Sequence, residues 1–228
     1  MKKIFVSIVI ALTMVASSFA LDFSIGAKGL LSKNLDPDSE ISYSNVNASL
    51  KTDSIYDGGF GIFANFALFG LLGVQAEANF SKYNVDFKPD IDYMDTSIIE
   101  YDSFIMDIPV MLWLNLPIWK LSLGLGAGVN FSTELNRSVE GSAGYVQQIK
   151  ENQFKMGFVA GADFKIYFTK HLGLVMGGRY IIDFNKTTVP LVGDGDTGIG
   201  AVDELERPSI EFTRKNLTGG VGLEFKFF

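Results

Sequence analysis

The chain has 228 residues, a formal charge of −7, no cysteine, 24 glycines against six prolines, and 13% aromatic residues. These values exclude a collagen-like chain, a disulfide-stapled scaffold and an acidic disordered tail, and so acidic a surface is a poor partner for nucleic acid. The length fits one domain or two small ones.

Residues 1–20 read as a secretory signal peptide. Lys2 and Lys3 precede an apolar stretch from Ile4 to Val15, and Ser18-Phe19-Ala20 offers small residues for cleavage before Leu21. The apolar stretch is short for a membrane anchor, which needs roughly 20 residues, and no cysteine follows it to carry a lipid. The mature domain is then 21–228, and the loss of two lysines takes its charge from −7 to −9.

Eight segments of the mature chain alternate with period two, the mark of strands with two unlike faces. In chain order they cover about residues 23–31, 59–69, 72–81, 104–114, 121–131, 154–166, 172–184 and 217–227. One frame is apolar throughout, as in Phe23, Ile25 and Ala27, in Met106, Ile108, Val110 and Leu112, and in Val221, Leu223, Phe225 and Phe227. Every charge falls in the other frame: Lys28, Glu77, Asp107, Lys155, Asp163, Lys165, Arg179, Asp183, Glu224 and Lys226, five of each sign. A soluble barrel has an apolar lining and a polar exterior. An apolar exterior around a charged interior belongs in lipid, and frames of about nine to eleven residues match a tilted strand crossing the hydrocarbon.

Connections alternate in length. Gly70-Leu71, Asn115 to Trp119 and Thr169 to His171 are short; 32–58, 82–102, 132–153 and 185–213 are long. Outward aromatics mark both ends of the strands, with Phe60, Phe80, Phe104, Phe131, Phe154 and Phe184 on the long-loop side and Phe23, Trp119, Phe168 and Phe227 on the turn side. The expected fold is all-β: a closed, eight-stranded antiparallel up-and-down transmembrane barrel with short periplasmic turns and external loops. One rival element is a transmembrane helix over Ile108 to Leu125, which Pro109, Pro117 and Lys120 disfavour.

The ending Gly220-Val221-Gly222-Leu223-Glu224-Phe225-Lys226-Phe227-Phe228 resembles the carboxy-terminal signal of outer-membrane barrels, with Gly222, Phe225, Phe227 and Phe228 as its marked positions. Phe227, not Phe228, keeps the outward frame. Ile105-Met106-Asp107-Ile108-Pro109-Val110 resembles a segment of the PorT-like outer-membrane β-barrel domain, an architectural relative of the OmpX and OmpA membrane domains. The resemblance implies residence in a bacterial outer membrane, with membrane lipid and the barrel assembly machinery as partners. It implies no particular activity.

Function has two places to reside. An eight-stranded lumen is just wide enough for side chains to fill, and ten interior charges summing to zero allow full pairing. A salt-bridged plug centred on Glu77, Asp107, Arg179 and Glu224 is the structural reading, and a narrow polar path is the functional one. Ser122, Gly124, Gly126, Gly128, Gly220 and Gly222 leave room inside that Phe63, Phe69, Ile105, Met111 and Trp113 can fill. The four long loops carry −3, −4, −1 and −4, all the net negative charge of the molecule. They are a solvated, repulsive surface or a site for an extracellular or envelope ligand. Asp194-Gly195-Asp196-Thr197-Gly198 resembles only part of a calcium loop, and no cofactor or metal is expected. With one histidine, His171 in a turn, and no cysteine, catalysis lacks its usual groups. The expectation is therefore a monomeric, non-enzymatic outer-membrane barrel with a structural or surface-interaction role. Its alternative is a narrow channel or transporter of small polar or apolar molecules.

Overall fold

The structure, a computed structural model, describes residues 21–35, 39–43, 46–54, 56–89, 99–141, 146–148, 154–190 and 209–227. The proposed signal peptide, residues 1–20, lies outside them, as do Phe228 and the Asp194 to Gly198 segment. The described residues form β1 (Leu21–Leu35), β2 (Ser39–Tyr43), β3 (Val46–Ser54), β4 (Tyr56–Leu68), β5 (Leu72–Pro89), β6 (Ile99–Ile118), β7 (Leu121–Gly141), β8 (Val146–Gln148), β9 (Phe154–Tyr167), β10 (Leu172–Asp183), β11 (Thr187–Pro190), β12 (Ser209–Phe212) and β13 (Lys215–Lys226).

Eight of these close a ring in the order β1, β4, β5, β6, β7, β9, β10, β13 and back to β1, every neighbour antiparallel. Each of the eight expected strands is present. The region 108–125 is a hairpin, not a helix: Ile108 pairs with Phe131 and Ile118 with Leu121. Pro109 lacks an N–H, and the β5–β6 ladder is interrupted beside it, between Ala76–Val110 and Asn79–Asp107.

The turns are tight. Phe69 and Gly70 both have positive φ, 53° and 66°, within the three-residue turn Phe69 to Leu71, which Leu71 N–H closes by donating to the Leu68 carbonyl. Phe69 thus sits exposed on the turn, and the expectation that it fills the lumen fails because its backbone has already left the strand. The second turn is Trp119-Lys120, shorter than the expected Asn115 to Trp119, since β6 runs on to Ile118.

On the outer wall Ile25, Ile62, Val74, Leu112, Leu125, Met176, Val221 and Leu223 are all exposed, so the alternation has put its apolar frame outside. Two aromatic bands bound this wall. Phe60 stacks on Phe80 at 5.1 Å and Phe131 on Phe154 at 6.1 Å near the loop end; Phe23 meets Phe227 at 5.3 Å near the turn end. Of the positions marked in the ending, Phe225 and Phe227 face outward on β13, edge to face at 5.1 Å, while Gly222 packs inward against the β1 backbone.

Beyond the loop-side band the wall continues. Strands β5, β6 and β7 run past their expected ends, to Pro89, from Ile99 and to Gly141. As β4 ends its pairing with β5 at Gly59–Ser81, β3 takes its place at Ser54–Val85, and β2, β12 and β11 add in turn. Segments assigned to the first, second, third and fourth loops therefore contain sheet. A β-bulge interrupts this extension: Phe104 pairs with Asn136 but Ile105 with Glu134, leaving Leu135 extra. The bulge reverses the parity of β7, so that Glu134 faces in below it and Arg137 and Val139 face in above it.

Candidate functional site

The lumen is the only interior a closed ring possesses, and period two fixes what enters it. Even-numbered residues of β1, β13 and lower β7, and odd-numbered residues of β4, β5, β6, β9 and β10, point inward and are the buried ones. Successive layers can be followed from the turn end to the loop end.

At the turn end Lys226 Nζ donates to Asp22 Oδ2 at 2.8 Å, still partly exposed. Above it Glu224 Oε1 accepts from Ser24 Oγ and from Lys165 Nζ at 2.9 Å, while Tyr167 donates to Oε2 at 3.2 Å. The next layer is the most densely bonded. Arg179 reaches Glu77 Oε1 through Nε at 2.9 Å and through a terminal nitrogen at 2.5 Å, and reaches both oxygens of Asp163 at 2.7 and 3.0 Å. Lys28 Nζ adds 2.6 Å to Glu77 Oε2, and Gln75 and Asn79 donate to the same carboxylate at 2.8 Å. The guanidinium lies 4.8 Å from the ring centroid of Trp113.

A third layer joins Asp107 and Asp183 through Arg214, which bonds both carboxylates and Ser132 at 2.6 to 3.1 Å. The fourth pairs Lys155 with Glu134 at 2.5 Å and Thr187 at 2.6 Å, with Tyr101 donating to Glu134 at 2.9 Å. Over this sits an aromatic cap. Phe212 stacks parallel to Tyr83 at 6.4 Å and edge to face with Tyr101 at 5.6 Å, and all three are buried. Burial pushes both phenols well above their usual range, with nearby Glu134 raising Tyr101 further, so both stay neutral.

All ten charges assigned to the lumen from sequence lie on its inner face, Lys226 at its mouth. The expected single centre of Glu77, Asp107, Arg179 and Glu224 is not there. Glu77 and Arg179 are partners, but Asp107 belongs to Arg214 and Glu224 to Lys165, because the three carboxylates occupy different heights along the strands. Arg214, Glu134 and Arg137 were outside the expected strands. For Arg214 a signal existed: the inward frame of β13 extends upward through Thr218 and Asn216 to it.

The glycine-lined side of the lumen is filled. Trp113 is fully buried, and its ring lies where a side chain at Gly124 or Gly126 would go, so those positions must lack a Cβ for the indole to lie flat on β7. Met111, Val159 and Ile181 complete an apolar cluster around it. Phe63 and Ile105 are buried inward as expected. His171 is exposed on its turn, where Nδ1 is 2.9 Å from the Lys226 carbonyl oxygen. Among the described residues no cluster of carboxylates, histidine or cysteine could hold a metal ion.

A closed antiparallel ring, apolar outside and ion-paired within, is the fold of a small outer-membrane β-barrel. Outer membrane protein OprG of Pseudomonas aeruginosa matches with a TM-score of 0.62 at 16% identity, over 90% of this chain and 95% of that one. Outer membrane protein AlkL, determined in lipid bilayers, matches with a TM-score of 0.51 at 16% identity, over 90% of each chain. No protein-family model matches the chain, and no curated protein matches it by sequence. The likeness is one of fold, and no family-level match supports the resemblance to the PorT-like domain.

Proposed function

We propose that the protein is an integral bacterial outer-membrane barrel with a closed lumen and a structural or surface-interaction role, without enzymatic activity. The turns face the periplasm and the loop end faces outward. The observation that carries this reading is the stack of four buried ion-paired layers beneath the Tyr83, Tyr101 and Phe212 cap. An eight-stranded ring has little cross-section to spare, and here carboxylates, guanidinium groups, Trp113 and Phe63 occupy it. What the molecule offers to partners is then its outer end, where the wall extends beyond the aromatic band and the four loop segments sum to −12. Ligands bearing positive charge or bridged by divalent cations suit that end. The polar cavity at the turn end favours the rival reading of a narrow conduit, but that space stops below the Arg179 layer.

The deciding measurement is conductance of the folded protein in a planar bilayer, with folding established by heat-dependent gel mobility. Silence is expected. Reproducible current steps that change in Arg179→Met or Glu77→Gln would replace the closed barrel with a conduit.

A further inference from the structure

The turn end of the lumen holds a cavity of about 510 Å³, a volume in the usual range for small-molecule sites. At its floor lie Lys165 and Glu224, 2% and 1% exposed. The charges lining it do not balance. Lys165 is paired with Glu224 and Lys226 with Asp22, which leaves Lys120 and Lys170 on the rim with no carboxylate partner among the described residues and a net charge of +2.

Hydrogen-bonding capacity is also left over, and it is of one kind. Lys165 has three N–H groups, and among the described residues the acceptor it meets is Glu224 Oε1; the Phe63 ring centroid lies 5.9 Å from its nitrogen. Both oxygens of Glu224 are already taken by Ser24, Lys165 and Tyr167. Ser122 stands directly opposite Lys165 across β7 and β9, and Asn115 is diagonal to Ser122 across β6 and β7. Such side chains lie roughly 5 Å and 7–8 Å apart on one face. Asn115 and Ser122 are 8% and 7% exposed, line the cavity, and make no side-chain hydrogen bond among the described residues. An amide and a hydroxyl, both open to the cavity, thus converge beside an ammonium with donors to spare. Trp119 and Phe168, 91% and 59% exposed, stand at the rim of the cavity mouth.

We propose that this cavity binds the carboxylate of a small aromatic acid. The carboxylate accepts from Lys165, the Asn115 amide and the Ser122 hydroxyl, and the ring lies against Trp119 and Phe168. The positive charge rejects a cation, and a neutral alcohol leaves the Lys165 donors and the rim charge unanswered.

The test is fluorine NMR of para-fluorobenzoate titrated with the folded protein in phosphatidylcholine nanodiscs, with para-fluorobenzyl alcohol and para-fluorobenzylamine as controls. A saturable shift for the acid alone is expected. Asn115→Asp sets a like charge within about 7 Å of the bound carboxylate and weakens binding at least about tenfold. Asn115→Leu removes the amide without adding charge and weakens it by about threefold or more. Heat-dependent gel mobility checks that each variant has folded. No saturable shift, an equal shift with the alcohol, or undiminished binding in Asn115→Asp would overturn the proposal. Repeating the titration in phosphatidylglycerol discs tests the source of the anion: unchanged affinity supports a soluble acid, and lost affinity assigns the cavity to a lipid headgroup and overturns it.

Discussion

Replacing Arg214 by methionine removes five hydrogen bonds and the cation that Asp107 and Asp183 share. Arg214 is buried, so water does not take its place. Each orphaned carboxylate either stays ionised in the lumen or takes up a proton. Protonating a carboxylate of ordinary pKa at pH 7 costs about 4 kcal/mol, which caps the loss at about 8 kcal/mol for the two. Asp107 keeps its bonds from Asn130 at 2.8 Å and Ser132 at 2.5 Å, which lower its share. With about 3–5 kcal/mol typical of breaking one buried pair, a loss of about 4–6 kcal/mol is expected. The charge-matched triple variant Arg214→Met, Asp107→Asn, Asp183→Asn leaves no buried charge behind, and its loss should be within about 2 kcal/mol. Urea-driven unfolding in lipid vesicles, followed by gel mobility and tryptophan fluorescence, measures both. A loss below about 1 kcal/mol in the single variant, or a triple variant no more stable than the single one, would refute the reasoning.

Three further perturbations test other parts of the molecule. Leu112 is 69% exposed and lies midway between Phe104 and Trp119, so Leu112→Arg in lipid should cost about 2–4 kcal/mol while Phe168→Arg near the turn-side band costs at most about 1; equal costs in vesicle unfolding would contradict the placement of the wall in the bilayer. Gly126→Val drives a side chain into the Trp113 ring and should cost about 1–3 kcal/mol, and Trp113→Ala about 3–5, with the pair together costing less than their sum because the clash needs the indole. Asp57 lies at the loop end, where burial holds its carboxyl above the usual value against weaker opposing contributions from the Asn84 backbone and Lys82. A raised carboxyl favours the fold below its unfolded pKa and loses that advantage as pH rises through the folded value. Asp57→Asn is therefore expected to stabilise the barrel at pH 7, with the gain shrinking as the pH falls toward 4; a gain that grows on acidification would reverse the assignment.

Most of the ring was legible because lipid outside and charge inside both act with the period of a strand. Phe164 and Lys165 differ by one position and face opposite solvents, so a misplaced register would expose itself at once. Legibility ended where lipid ends. Above the loop-side band the preference inverts: in 82–89 the apolar Tyr83 and Val85 face in and Lys82 faces out, so a single apolar frame followed along β5 stops at the band. On β7 the Leu135 bulge reversed the parity, which hid Arg137. Partners within the lumen were less legible than the lumen itself. Alternation says that Asp107 points inward, but its meeting with Arg214 depends on the tilt and stagger of strands that are not neighbours. Trp113 over Gly124 and Gly126 could be read more nearly, since a large side chain on one strand opposite small ones on the next is the form such packing takes.

The ion pairs of the lumen also govern how the barrel can come into being. A few are available to neighbouring strands, as Arg179 with Asp163, 16 residues apart, and Lys155 with Glu134, 21 apart. The others join distant parts of the chain: Arg179 meets Glu77 across 102 residues, Arg214 meets Asp107 across 107, and Lys226 meets Asp22 across 204. A hairpin entering the hydrocarbon alone would carry its charges without their counterions and its sheet edges without their ladders. Crossing the bilayer and closing the ring are consequently one cooperative event, in which a partly assembled barrel is electrically incomplete and gains its interior only when the last strand arrives.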